Sequence, residues 1–131
     1  MKSPAPYLVV GCLYLLVLLP RLVMDTGRFP HPRSYLMDFR LASPARLVGD
    51  ALLNLVMFVP VGWLLGRGLR DLSASPTTRG LSVTAFCAVL SLTVETVQYF
   101  LPTRYSSAID VLTNTLGGFL GVTLAERWGR L

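Results

Sequence analysis

The sequence predicts an all-α integral membrane protein, a four-helix bundle forming a single transmembrane domain over residues 1–131. Composition points there first. The chain is 53% hydrophobic and only 15% charged, where a soluble domain carries roughly 25% charged residues; its mean hydropathy is +0.57. The charges are also segregated. Ser3 to Pro20, Ala51 to Gly66, Gly80 to Val94 and Val111 to Ala125 contain no Asp, Glu, Lys or Arg. Each run comes near the ~17–25 residues that a membrane-spanning helix requires. None shows the alternation of apolar and charged faces that a soluble bundle needs.

The helix starts are legible in order. Ser3-Pro4, Ser43-Pro44 and Ser75-Pro76 each place a capping hydroxyl before a proline. The hydroxyl accepts a bond from a free N–H, and proline at the first helical position has no N–H to satisfy. Ser107-Ala108-Ile109-Asp110 is a capping-box pattern with Asp in place of the usual Glu or Gln. Helices are therefore expected near 4–19, 44–66, 76–101 and 107–127. The first helix reads as retained rather than as a cleaved signal peptide, because Pro20 to Met24 offers no small-x-small site.

The connections differ in kind. Pro20 to Ser43 is long and contains RFPHPRSY, with Tyr35 to Leu41 able to lie flat on the membrane surface. Arg67 to Ser75 is short and basic, and Pro102 to Ser106 is a tight link that makes the third and fourth helices antiparallel neighbours. Lys2, Arg67, Arg70, Arg79, Arg127 and Arg130 fall on one side and Arg21, Arg28, Arg33, Arg40, Arg46 and Arg104 on the other. That even division leaves the positive-inside rule little to act on; the tighter clustering at helix ends on the first side favours both termini on the cytoplasmic side.

Several function classes drop out. Cys12 and Cys87 lie in apolar runs without a CxxC or Cys/His pairing, and the single histidine, His31, sits between Pro30 and Pro32. No metal site or other cofactor is expected from such a set. The net charge of +5, on a membrane protein, points to anionic lipid headgroups rather than nucleic acid.

What composition leaves unexplained is VETVQYFLPTRYSSAIDVLTN, residues 94–114. Glu95 lies about 9 Å inside the end of the third helix and Asn114 about 10 Å inside the start of the fourth, at 1.5 Å per residue. Ser91, Glu95 and Gln98 share one stripe; Asp110, Asn114, Gly117 and Gly121 form another; Asp50 and Asn54 stack one turn apart on the second helix. Antiparallel connectivity brings these stripes to one membrane face, with Arg104 in the adjoining link as counter-charge for Glu95 or Asp110. A carboxylate near the bilayer centre costs at least ~2.5–3.5 kcal/mol, so it is expected to face the bundle and find partners. Asp110 also reads as a simple capping acid, and Asn54 and Asn114 as interhelical glue. Glu95 has neither explanation in the sequence. Gly62-x-x-x-Gly66 and Gly117-x-x-x-Gly121 read as close-packing faces, and Pro60 deprives the Val56 carbonyl of its usual partner.

DALLNLVMFVPVGWLLG resembles the Asn–Phe–x–Pro–x–Gly segment of VanZ-like membrane proteins, and ETVQYFLPTRYSSAIDVLTNTLGGFLG is similar to that family's E-x-x-Q, R and D-x-x-x-N-T-x-G-G signature. The matching stretches cover roughly residues 45–125. The resemblance implies a small polytopic bacterial membrane protein of a family named for a protein that raises resistance to the glycopeptide teicoplanin. It maps the family's shared positions onto Asn54, Pro60, Gly62, Glu95, Gln98, Arg104, Asp110, Asn114 and Gly117. Relatives often carry extra acids just before the aspartate matched by Asp110, where this chain has Ser107 and Ile109.

Three functions are consistent with these residues. One is a binding module whose polar cluster holds an envelope or lipid-linked ligand. A second is a carboxylate-dependent enzyme acting on a lipid, with Glu95 as general base and Asp110 as its acid partner, although no nucleophile is paired with a base. The third is a structural module that packs on a partner membrane protein, or on a second copy, through its glycine faces.

Overall fold

The computed structural model of the chain describes residues 5–23, 36, 44–70, 72, 75–101 and 106–128. They form α1 (Ala5–Val23), α2 (Pro44–Gly68), α3 (Pro76–Phe100) and α4 (Ala108–Trp128). Three stretches, Leu47–Gly68, Pro76–Phe100 and Ala108–Trp128, are long and apolar enough to cross a membrane; the apolar part of α1, Ala5–Pro20, is shorter.

The first helix does not stop at residue 19 as expected but runs through Pro20 to Val23. Proline's φ suits a helix, and its missing N–H forfeits only the bond to the Leu16 carbonyl, close to the helix end. The serine–proline starts can be followed at α3, where Ser75 Oγ accepts from the Thr78 N–H at 3.1 Å and Pro76 opens the helix. Ser3, Pro4 and Ser43 lie outside the described residues, as does the segment Tyr35 to Leu41 apart from Leu36.

The helices alternate in direction, and α2 packs most extensively on α4, which runs parallel to it. Glycine makes that contact possible. A Cβ built on Gly62 would run into the Gly118 carbonyl, one on Gly117 into the Leu55 carbonyl, and one on Gly121 into the Val59 carbonyl, with the Trp63 nitrogen 2.6 Å away. One turn on, a Cβ on Gly66 would stand 2.9 Å from Val122 Cγ2. The two backbones approach closely, as small-residue faces allow in membranes where no hydrophobic force drives helices together.

On its other side α4 meets α3 in antiparallel register. The bonded pair Ser91–Asn114, the Cys87–Gly118 contact and the ion pair Arg79–Glu126 step up one helix and down the other. α1 joins α2 through the Tyr14 hydroxyl, which donates to the Met57 carbonyl at 2.9 Å. That carbonyl is next to the one on Val56, which Pro60 leaves without its helical partner. Leu18, Phe58, Val61, Val83, Cys87, Val94 and Val122 form the buried apolar cluster between the helices.

The distribution of polarity is inverted relative to a water-soluble protein. Leu16, Leu53, Val56, Val89, Leu112 and Leu116 point outward. Arg79, Ser91, Glu95, Gln98 and Asn114 are buried inside. Lipid welcomes the first set, and only the bundle interior can satisfy the second.

A buried polar cluster as the candidate functional site

The stripe of α3 that carries Ser91, Glu95 and Gln98 faces inward along its whole length. Glu95 is 1% exposed, so a carboxylate is enclosed by the helices. Its Oε2 accepts the backbone N–H of Ser107 at 2.5 Å. Ser107 is the N-cap of α4: its Oγ accepts the Asp110 N–H at 3.2 Å, and its carbonyl accepts the Val111 N–H at 3.3 Å. In a closed capping box the N-cap N–H would go to the third helical residue of the same helix. Here it is given to a glutamate of the preceding helix. Glu95 therefore does have a structural task that the sequence concealed: it caps α4 in trans, with a carboxyl oxygen at the positive end of the helix dipole.

One turn deeper, Asn114 Nδ2 donates to Ser91 Oγ at 2.8 Å, joining α4 to α3 within the bundle. Asn114 Oδ1 is buried and accepts no bond, and the buried Ser106 hydroxyl has no partner either, among the described residues. Asn54 of α2 is buried as well. It lies at the same level, since the carbonyl of the next residue, Leu55, faces Gly117, three residues beyond Asn114. Asn54, Ser91, Glu95, Gln98 and Asn114 thus line the interior toward one end of the bundle.

The other expected residues do not all share this enclosure. Asp50 is exposed, so the stack it forms with Asn54 along α2 leaves the enclosure after one turn. Asp110 is half-buried in the first turn of α4, and Pro60 is half-buried in α2. Arg104 lies outside the described residues. Gly62, Gly66, Gly117 and Gly121 are all buried in the α2–α4 contact.

Sequence reasoning missed the ion pair at the opposite end. Arg79 Nε donates to Glu126 Oε1 at 2.5 Å, with side chains 5% and 18% exposed, and Arg79 Nη1 donates to the Arg70 carbonyl at 3.2 Å. The signal was available. Once α3 and α4 are antiparallel about a short link, the spacing that sets Ser91 against Asn114 also sets Arg79 against Glu126.

Chemically the cluster offers hydrogen-bond acceptors: the Glu95 carboxylate, the unused Asn114 carbonyl oxygen and the Ser106 hydroxyl, which also donates. Such a set suits hydroxyl, amide or ammonium donors. Among the described residues no three His, Cys, Asp or Glu side chains gather as metal ligands would.

Residues 8–129 match the VanZ/LLP1 family. The chain belongs to that family. It is 38% identical over 71 residues to Protein VanZ of Enterococcus faecium, an alignment that takes in 54% of this chain and 40% of that protein. The chain thus aligns with less than half of that relative's length. No solved structure matches it. Family membership, together with three helices of spanning length, makes this VanZ-like chain a multi-pass membrane protein.

Proposed function

We propose that this VanZ-like protein sits in the bacterial cytoplasmic membrane with both ends of the chain in the cytoplasm. There its polar cluster holds a donor-rich part of an envelope or lipid-linked molecule. Sugar hydroxyls or amides are the matching chemistry. In this reading the protein alters susceptibility to glycopeptides such as teicoplanin, as the resemblance to VanZ suggests. One observation carries it: Asn114 Oδ1 and Ser106 Oγ are buried without partners at the end of the bundle where the Glu95 carboxylate is enclosed. A buried acceptor left empty costs about 1–3 kcal/mol, a cost that a bound donor would remove.

The structural-module reading is less well supported, because Gly62, Gly66, Gly117 and Gly121 are already occupied by the α2–α4 contact within the chain. The test is a paired one in cells, scoring teicoplanin susceptibility and protein level together for Glu95→Gln and Gly121→Leu. Glutamine keeps an oxygen for the Ser107 N–H while removing the charge, so Glu95→Gln should lose protection at normal abundance. Gly121→Leu should lose abundance itself. Full protection in a normally abundant Glu95→Gln protein would sink the binding role.

A further inference from the structure

At the end of the bundle away from Glu95, α1 and α2 build a second polar feature. Arg67, in the last turn of α2, holds its guanidinium carbon 5.5 Å from the centroid of the Tyr7 ring and 5.9 Å from that of Trp63. The two rings stand edge to face, with centroids 5.9 Å apart and planes at 77°. Trp63 and Arg67 are one turn apart on α2 and share a face. Arg67 Nη1 and Trp63 Nε1 are both buried, and neither has a hydrogen-bond partner among the described residues.

Two buried donors, one of them charged, with no acceptor between them are an unusual arrangement. Cation–π attraction to Tyr7 and Trp63 holds the guanidinium in place but neutralises none of its charge. Among the described residues the carboxylate at this end is Glu126, which takes the Arg79 Nε–H. Arg67 is one residue from the end of α2, at the level where an apolar helix meets lipid headgroups. Arg67 and Trp63 are half-buried as whole residues, so the site borders the membrane boundary, and a ligand meets the two enclosed nitrogens once these side chains turn toward it.

We propose that Arg67, Trp63 and Tyr7 form a binding site for a phosphate oxyanion at the membrane boundary. The guanidinium fork supplies charge and paired donors that match phosphate geometry. The indole N–H adds a third bond, and Tyr7 orients the guanidinium. The lipid phosphodiester and free phosphate share this chemistry. The site is separate from the polar cluster and stands whether or not that cluster binds a ligand.

The test uses the full chain purified in a neutral detergent, carrying Trp128→Phe so that Trp63 is the remaining tryptophan. Phosphatidylglycerol, a diacylglycerol with the same acyl chains, and inorganic phosphate are titrated separately while Trp63 emission is followed. A saturable response to phosphatidylglycerol and none to diacylglycerol is expected. In Arg67→Gln the affinity should fall about tenfold or more, as loss of a charge-assisted hydrogen bond implies. An Arg67-dependent response to inorganic phosphate as strong as that to the lipid supports the site with free phosphate as its source. Equal responses to the two lipids, no saturable response to either phosphate source, or an unchanged affinity in Arg67→Gln overturns it. Should Arg67→Gln not stay monodisperse, Arg67→Lys decides: the fork is lost while the charge is kept, and an affinity equal to the parent's overturns the site.

Discussion

Glu95 illustrates how one residue can carry a structural and a functional load that substitution can separate. Its carboxylate accepts the Ser107 N–H, and Ser107 is itself buried. Alanine at 95 would strand that N–H in a dry environment at a cost of about 1–3 kcal/mol, whereas glutamine keeps an acceptor. Unfolding in mixed micelles should therefore show Glu95→Ala clearly below the parent and Glu95→Gln close to it. Equal losses would mean that the charge, and not the bond, holds α4. A smaller effect is expected at the neighbouring pair: Ser91→Ala removes the acceptor for Asn114 Nδ2, worth about 0.6–1.7 kcal/mol in a membrane bundle. The inward stripe of Ser91, Glu95 and Gln98 was legible, because a four-then-three spacing can share only one helical face. The identity of the Glu95 partner was not. That bond crosses the 102–105 link, and nothing in a capping-box motif announces an acceptor borrowed from another helix.

At the scale of elements, the glycines divide cleanly by environment. A Cβ at Gly62 meets the Gly118 backbone, while one at Gly49 or Gly80 meets nothing within 4 Å. Gly62→Ala should push α2 from α4 and cost about 1–3 kcal/mol, the usual scale of overpacking, or more since backbone cannot yield. Gly80→Ala should be neutral or stabilising by up to about 1 kcal/mol through helix propensity. Comparing the two by thermal unfolding in detergent checks this, and similar behaviour would refute the close approach of α2 and α4. The ion pair makes an equivalent test of the α3–α4 register. Removing one partner of a buried pair typically costs about 3–5 kcal/mol, so Glu126→Gln and Arg79→Met should each destabilise, and the double variant should cost less than the two added together. Helix boundaries were readable from charge-free runs and Ser–Pro starts. The extension of α1 through Pro20 was not, because a proline marks a lost hydrogen bond without saying whether the chain must stop there.

The whole molecule is organised by its solvent. Val89 lies near the middle of α3 and is 65% exposed. On a water-soluble bundle lysine there would be harmless. In lipid it should cost about 2.5–3.5 kcal/mol, so Val89→Lys should reduce insertion in a membrane-integration assay. Unimpaired insertion would contradict the outward apolar face as a lipid contact. The same inversion accounts for the interior, where α3 and α4 are fastened at both ends: Glu95 to the start of α4, Arg79 to its last turn.

By itself the sequence determined the solvent, the number of helices, most of their limits and the faces that carry polar residues. Each follows from local rules: the absence of charge along a span, a serine before a proline, and the 3.6-residue repeat. The tertiary structure decided which of those polar groups meet. It put Glu95 on the Ser107 N–H, Arg79 on Glu126 and Arg67 beside two touching aromatic rings, and it turned Asp50 outward while Asn54 stayed in. These outcomes depend on helix register and rotation, which are set by glycine backbones sliding into contact. No local pattern encodes how far two helices advance before they lock.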